Sequence, residues 1–201
     1  MTAAGGVVEP RRRVQQVTAA GTHWFVIASA VVNGGNFLFF GVVGHFLLPT
    51  QYSAAAALLN VVSLSNIPQD ALQAAVIQEL LIRRTDGRAA GLPPLGWSLK
   101  GIALAPTAVT AVLSVTFARF LGLGTVVPVL LLAAWFTPSI IGSFFTGVLM
   151  AAERWREAAV ALTGGVMVRV GVAVMLGVVS PSVNGPMLAT LLSTVLTLYL
   201  L

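Results

Sequence analysis

The feature that most constrains this chain is a series of long apolar runs interrupted only by charged or turn-forming residues. The runs fall at about 22–47, 53–82, 98–118, 125–151, 158–180 and 186–201. Between them lie "LPTQYS" (48–53), "RRTDGRAAGLPPLG" (83–96), "RFLGLG" (119–124), "AERWRE" (152–157) and "SPSVNGP" (180–186), four of which carry the Gly or Pro of a turn. A hydrocarbon core about 30 Å thick takes roughly 20 apolar residues per helix. Inside it only a helix or a closed barrel can pair every backbone polar group. The pattern therefore predicts an all-α, polytopic transmembrane bundle of about six helices over residues 22–201, preceded by a cytoplasmic segment, residues 1–21.

Composition leads the same way. The 201 residues are 57% hydrophobic and 8% charged, against about 25% charged in a soluble domain. Cysteine is absent, so neither disulfides nor thiolate metal ligands enter the argument. The opening "MTAAGGVVEPRRRVQQVTAAGTHW" has an arginine cluster, but the apolar stretch after it outlasts a signal peptide and offers no small-residue cleavage site. It reads as a retained first span. The last run, about 16 residues ending in "LTLYLL", is short for a crossing and has no polar flank, as if the chain continued or paired with another polypeptide.

A net charge of +5 would suggest nucleic acid in a soluble protein, but here the basic residues sit between the runs. Arg11, Arg12, Arg13, Arg83, Arg84, Arg88, Lys100, Arg154 and Arg156 fall on one side, and Arg119 alone on the other. This bias places the N-terminus in the cytoplasm of a cell (inner) membrane protein and removes the need for a nucleic-acid partner.

Polar residues inside the runs form faces. At 100° per residue, Thr22, Ser29, Asn33, Asn36 and Gly44 of the first run share an arc of about 80°, and Asn60, Ser63, Asn66, Asp70 and Gln73 of the second share about 140°. Lipid cannot satisfy amides and carboxyls, so these stripes either hydrogen-bond across a dry seam or border a hydrated cavity. Pro68, two residues before Asp70, predicts a kink. Arg169 stands at the centre of the fifth run, flanked by Gly165 and Ala173 on its own face. A central arginine costs about 2.5–3.5 kcal/mol to insert and needs a carboxylate, carbonyls or water, with Asp70 the best intramembrane partner. It either locks two helices together or recognises a phosphate-like anion, for which a guanidinium suits better than an ammonium.

Other residues carry less. His23 and His45 lie at opposite ends of the first run and do not make a metal site. Trp24, Trp97 and Trp155 fall at predicted membrane boundaries, where indoles collect, and Trp135 is deeper with no assigned role. No nucleophile elbow, P-loop or metalloprotease spacing occurs, so no enzymatic activity and no cofactor is expected.

Two stretches carry a family resemblance. "GHFLLPTQYSAAAALLNVVSLSNIP" (44–68) resembles the junction of the first two helices of polysaccharide-export flippases, and "GVLMAAERWREAAVALTGGVMVRVGVAVML" (147–176) their cytoplasmic loop after the fourth helix. The chain thus resembles the multidrug/oligosaccharidyl-lipid/polysaccharide flippase superfamily, in its O-antigen and exopolysaccharide branch. Ala54 stands where that loop commonly has glycine, and the chain is about half the family's usual extent, equivalent to the first of two six-helix lobes. The resemblance implies alternating access, carrying an undecaprenyl-pyrophosphate-linked glycan between leaflets, with a C-terminal lobe as partner.

The expected cavity residues are Arg169, Asp70, Asn33, Asn36, Asn66 and Gln73. Arg169 matches no family motif and enters on placement alone. Two other functions remain open: an ion-coupled multidrug antiporter using Asp70, and a membrane scaffold whose stripes are packing surfaces.

Overall fold

The computed structural model describes residues 9–85 and 96–201, and side chains from residue 23 onward except Phe25, Thr85 and residues 96–98. The described chain is all helix: α1 (Glu9–Phe46), α2 (Pro49–Thr85), α3 (Gly96–Val112), α4 (Ser114–Phe120), α5 (Val127–Ala151), α6 (Trp155–Val179) and α7 (Asn184–Leu200). Arg11–Arg13, Arg88 and Trp97 lie outside the described side chains.

Three helical stretches are long and apolar enough to cross a membrane: Val26–Phe46, Val127–Ala151 and Trp155–Val179. The other expected spans depart from this simple form for separate reasons. In α2 the polar stripe dilutes the hydropathy of a 37-residue helix. The run expected as one helix over 98–118 is broken: α3 and α4 meet at 57°. Leu113 marks the break, with φ −85° and ψ 3°. At about 1.5 Å per residue, the 17 residues of α7 span roughly 25 Å, short of a full hydrocarbon core. The predicted kink at Pro68 does not interrupt α2, which runs through it as one helix.

Helix α5 is the hub, packed on α2, α3 and α7; α6 packs on α7 and α1. Consequently α1 and α2, adjacent in sequence, are carried on different supports and meet only sparsely, as where Gly44 stands against the Tyr52 ring. Two glycines let α6 sit deep. A Cβ on Gly35 would run into Val166, and one on Gly165 would run into the Thr197 hydroxyl. Gly165 thus admits a neighbouring helix.

The two ends of the bundle differ. At one, Arg84 pairs with Glu153 at 3.0 Å, Arg83 with Glu79 at 2.7 Å, and Arg156 stacks over Trp24 at 5.2 Å. The tail of α2, the α5–α6 turn and the start of the first apolar stretch therefore share this basic end. Toward the other end an apolar core fills the bundle, built from Phe39, Val43 and Leu47 of α1, Leu58, Leu59 and Val62 of α2, Val129, Leu132 and Phe136 of α5, Ala173 of α6 and Met187 of α7. The core seals only that half.

Candidate functional site

In the other half the helices part around a cavity of about 320 Å³. That volume holds on the order of ten waters. Its wall follows one spacing rule on four helices: Asn66, Gln69, Asp70 and Gln73 on α2; Ser139, Gly142, Ser143 and Thr146 on α5; Leu162, Gly165, Val166 and Arg169 on α6; Thr190, Ser193, Thr194 and Thr197 on α7. Each set runs i, i+3, i+4, i+7, which is one face of an α-helix. Val32 and Asn36 of α1 complete the wall, together with Val62 and Trp135, which it shares with the apolar core. Compared with the apolar core, every one of these sets lies displaced along its helix toward the basic end.

Arg169 occupies the α1–α6 wall. Its Nη1 donates to Asn36 Oδ1 at 3.0 Å, and its guanidinium carbon lies 4.0 Å from the centre of the buried Phe39 ring. The ring face attracts the cation, while the amide fixes one edge of the fork. Nε has no hydrogen-bond partner among the described residues. No carboxylate pairs with Arg169 among them either, so of the alternatives that the sequence leaves open, pairing with Asp70 is not the one the structure takes. Asp70 lines the same cavity from the α2 wall, exposed and outside ion-pair range. The separation follows from the supports: α6 holds one residue and α5 holds the other, with α7 between them.

The α2–α5 wall is tied by side chains. Buried Gln69 accepts from Ser139 Oγ at 2.7 Å and Ser143 Oγ at 3.1 Å through its Oε1, and Gln73 Nε2 donates to Met150 Sδ at 2.9 Å. Trp135 Nε1 donates to Thr194 Oγ1 at 2.9 Å, joining α5 to α7 in the cavity wall. The hydroxyls of Thr146, Thr194 and Thr197 donate to carbonyls one turn back in their own helices. This arrangement keeps a hydroxyl satisfied in an apolar setting, and its rotor remains free to turn to a ligand.

Of the six expected cavity residues, the structure brings five together: Arg169, Asp70, Asn36, Asn66 and Gln73. Asn33 is not in the wall. It is exposed on the flank of α1, because Val32 and Asn36 take the inward positions and Asn33 is turned about 60° from Asn36. The reading of the sequence missed Gln69, Trp135 and the Ser/Thr faces of α5 and α7. The signal was present as the i, i+3, i+4, i+7 spacing of "SIIGSFFT" (139–146) and "TLLSTVLT" (190–197).

The chain has no significant match among protein-family models, curated proteins or solved structures.

Proposed function

We propose that this protein is a membrane transporter, one helical lobe of a flippase that moves an anionic, lipid-linked saccharide precursor across the inner membrane by alternating access. The observation that carries this reading is Arg169: a guanidinium held by Asn36 and Phe39 in the wall of a polar cavity, with no carboxylate to neutralise it among the described residues. A charge kept at that cost, instead of replaced by a Leu, fits recognition of phosphate oxygens.

The remaining geometry supports the same account. With the basic end in the cytoplasm, as the positive-inside bias has it, the cavity lies on the cytoplasmic side and the apolar core closes the far side. The bundle would thus be in an inward-facing state. Asn33, Asn60, Ser63, Asn66 and Asp70 are all exposed on α1 and α2, and amides and carboxyls at such depth do not face lipid. A second helical lobe packed across the α1 and α2 faces would shelter them and complete the pathway. The test is export of the lipid-linked glycan in cells carrying Arg169→Ala: export is lost with protein abundance near normal, and normal export rejects the role.

One observation favours a second reading, an ion-coupled antiporter: Asp70 lines the cavity without an ion-pair partner among the described residues. That function requires Asp70→Asn to abolish ion-driven efflux. Unaltered efflux rejects it.

A further inference from the structure

The helices around the central cavity follow one another in a curve: α1 packs on α6, α6 on α7, α7 on α5 and α5 on α2. The junction that would close the ring is the weak one. Helices α1 and α2 meet only sparsely, as at Gly44 and Tyr52 beside their turn, so the curve is left open between them, with Asn36 on one lip and Asn66 and Asp70 on the other. Next to this opening Asn33 and Asn60 are exposed, and neither amide has a hydrogen-bond partner among the described residues. Depth along the two helices is set by their short connection. Helix α1 ends at Phe46 and α2 starts at Pro49, so residues equally far from that turn lie at nearly equal depth. Asn33 is level with Ser63, and Asn36 with Asn60, to within about 1.5 Å, the rise of one residue.

We propose that a second copy of this chain covers the opening, related to the first by a two-fold axis along the membrane normal. The proposal rests on the transport reading above and names the lobe that reading requires. Every copy carries the same basic end, so the positive-inside bias inserts all of them in one orientation, and two parallel copies that meet through one shared face are related by an axis of this direction. Such an axis preserves depth and exchanges sides. It sets α1 of each copy against α2 of the other, with Asn33 level with Ser63 and Asn60 close by. A carboxamide both donates and accepts, as does a serine hydroxyl, so a face built from them is complementary to itself, whereas lipid tails satisfy none of these groups. Gly34 and Gly41 are exposed next to Asn33, and a Cβ on either meets nothing within 4 Å, which leaves room for close approach of a helix. The two cavities then merge into one chamber with an Arg169 in each half.

The absence of cysteine lets single thiols report the contact. Whole chains carrying Asn33→Cys and Ser63→Cys, each with its own affinity tag, are co-expressed, and the membranes are treated with a short bis-thiosulfonate. A doubly tagged dimer is expected. Asn33→Cys paired with Val112→Cys, exposed on α3 away from this face, gives only the background of random collision. Native mass spectrometry of the protein without substitutions shows a dimer, and Asn33→Leu with Asn60→Leu weakens it about tenfold, as loss of one or two interhelical hydrogen bonds would, at an unchanged melting temperature of the monomer. A monomer by mass, a dimer indifferent to the two leucines, or bridging no better than the Val112 pairing overturns the proposal. If Arg169→Ala still abolishes export in that case, the transport reading stands and a different protein supplies the lobe. Bridging of Asn33→Cys chains to one another as readily as to Ser63→Cys chains sets α1 against α1 and overturns the two-fold arrangement. If the dimer forms through these positions while export is indifferent to Arg169→Ala, the interface stands and the transport reading falls.

Discussion

Arg169 Nη1 donates to Asn36 Oδ1 at 3.0 Å, joining residues 133 apart in sequence across the α1–α6 seam. The bond gives a cation inside a long apolar helix a partner without cancelling its charge. An amide accepts from the guanidinium but, unlike a carboxylate, leaves its field in the cavity.

That distinction can be tested at position 36. Asn36→Leu strips the guanidinium of its acceptor and should lower thermal stability in detergent by about 1.5–3 kcal/mol, the cost of a lost hydrogen bond to a charged group. Asn36→Asp should instead preserve or raise the melting temperature through an ion pair and weaken anion binding. A scaffold would show the stability changes with no change in anion binding.

Gly165 tests how α6 is seated. A Cβ there meets Thr197 Oγ1, so Gly165→Ala should force α6 and α7 apart at a cost of about 1–3 kcal/mol, and Thr197→Ala should restore part of the loss. Melting curves of the two single variants and the double variant decide it; strictly additive losses would show that the two positions do not touch.

Gln69 tests the α2–α5 wall. In Gln69→Leu the amide that accepts from Ser139 and Ser143 is gone, and stability should fall by about 1–3 kcal/mol. The triple variant with Ser139→Ala and Ser143→Ala should recover most of it, since no polar partner is then left unpaired.

Much of this was legible from residue order. The long apolar runs became helices, because a helix is the form in which such a run pairs its own backbone in lipid. Asn36, Asn66, Asp70, Gln73 and Arg169 stood out because amides and charges are costly in such runs. The Ser and Thr faces of α5 and α7 did not, since each hydroxyl can be satisfied by its own helix and so leaves no obligation visible in sequence.

A helical wheel also assigns a face without assigning its neighbour. That is why Asp70 looked like the partner of Arg169, although α7 and α5 hold their walls apart. For the same reason Asn33 looked inward, when α6 in fact takes Gly35 and Asn36 as its contacts. The bend at Leu113 has no Gly or Pro at the break to announce it.

The central claim is that the cavity is wet and attracts anions. Because the chain lacks cysteine, Thr197→Cys introduces a single thiol into the wall that Arg169 shares, against Gly165, which lies one helical turn before Arg169 on α6. The decisive measurement is the rate at which anionic and cationic thiosulfonates modify that thiol in nanodiscs. The account predicts modification by both, with the anionic reagent favoured relative to its rate on a free thiol and the preference removed by Arg169→Gln. No modification, or a ratio indifferent to Arg169, would contradict it.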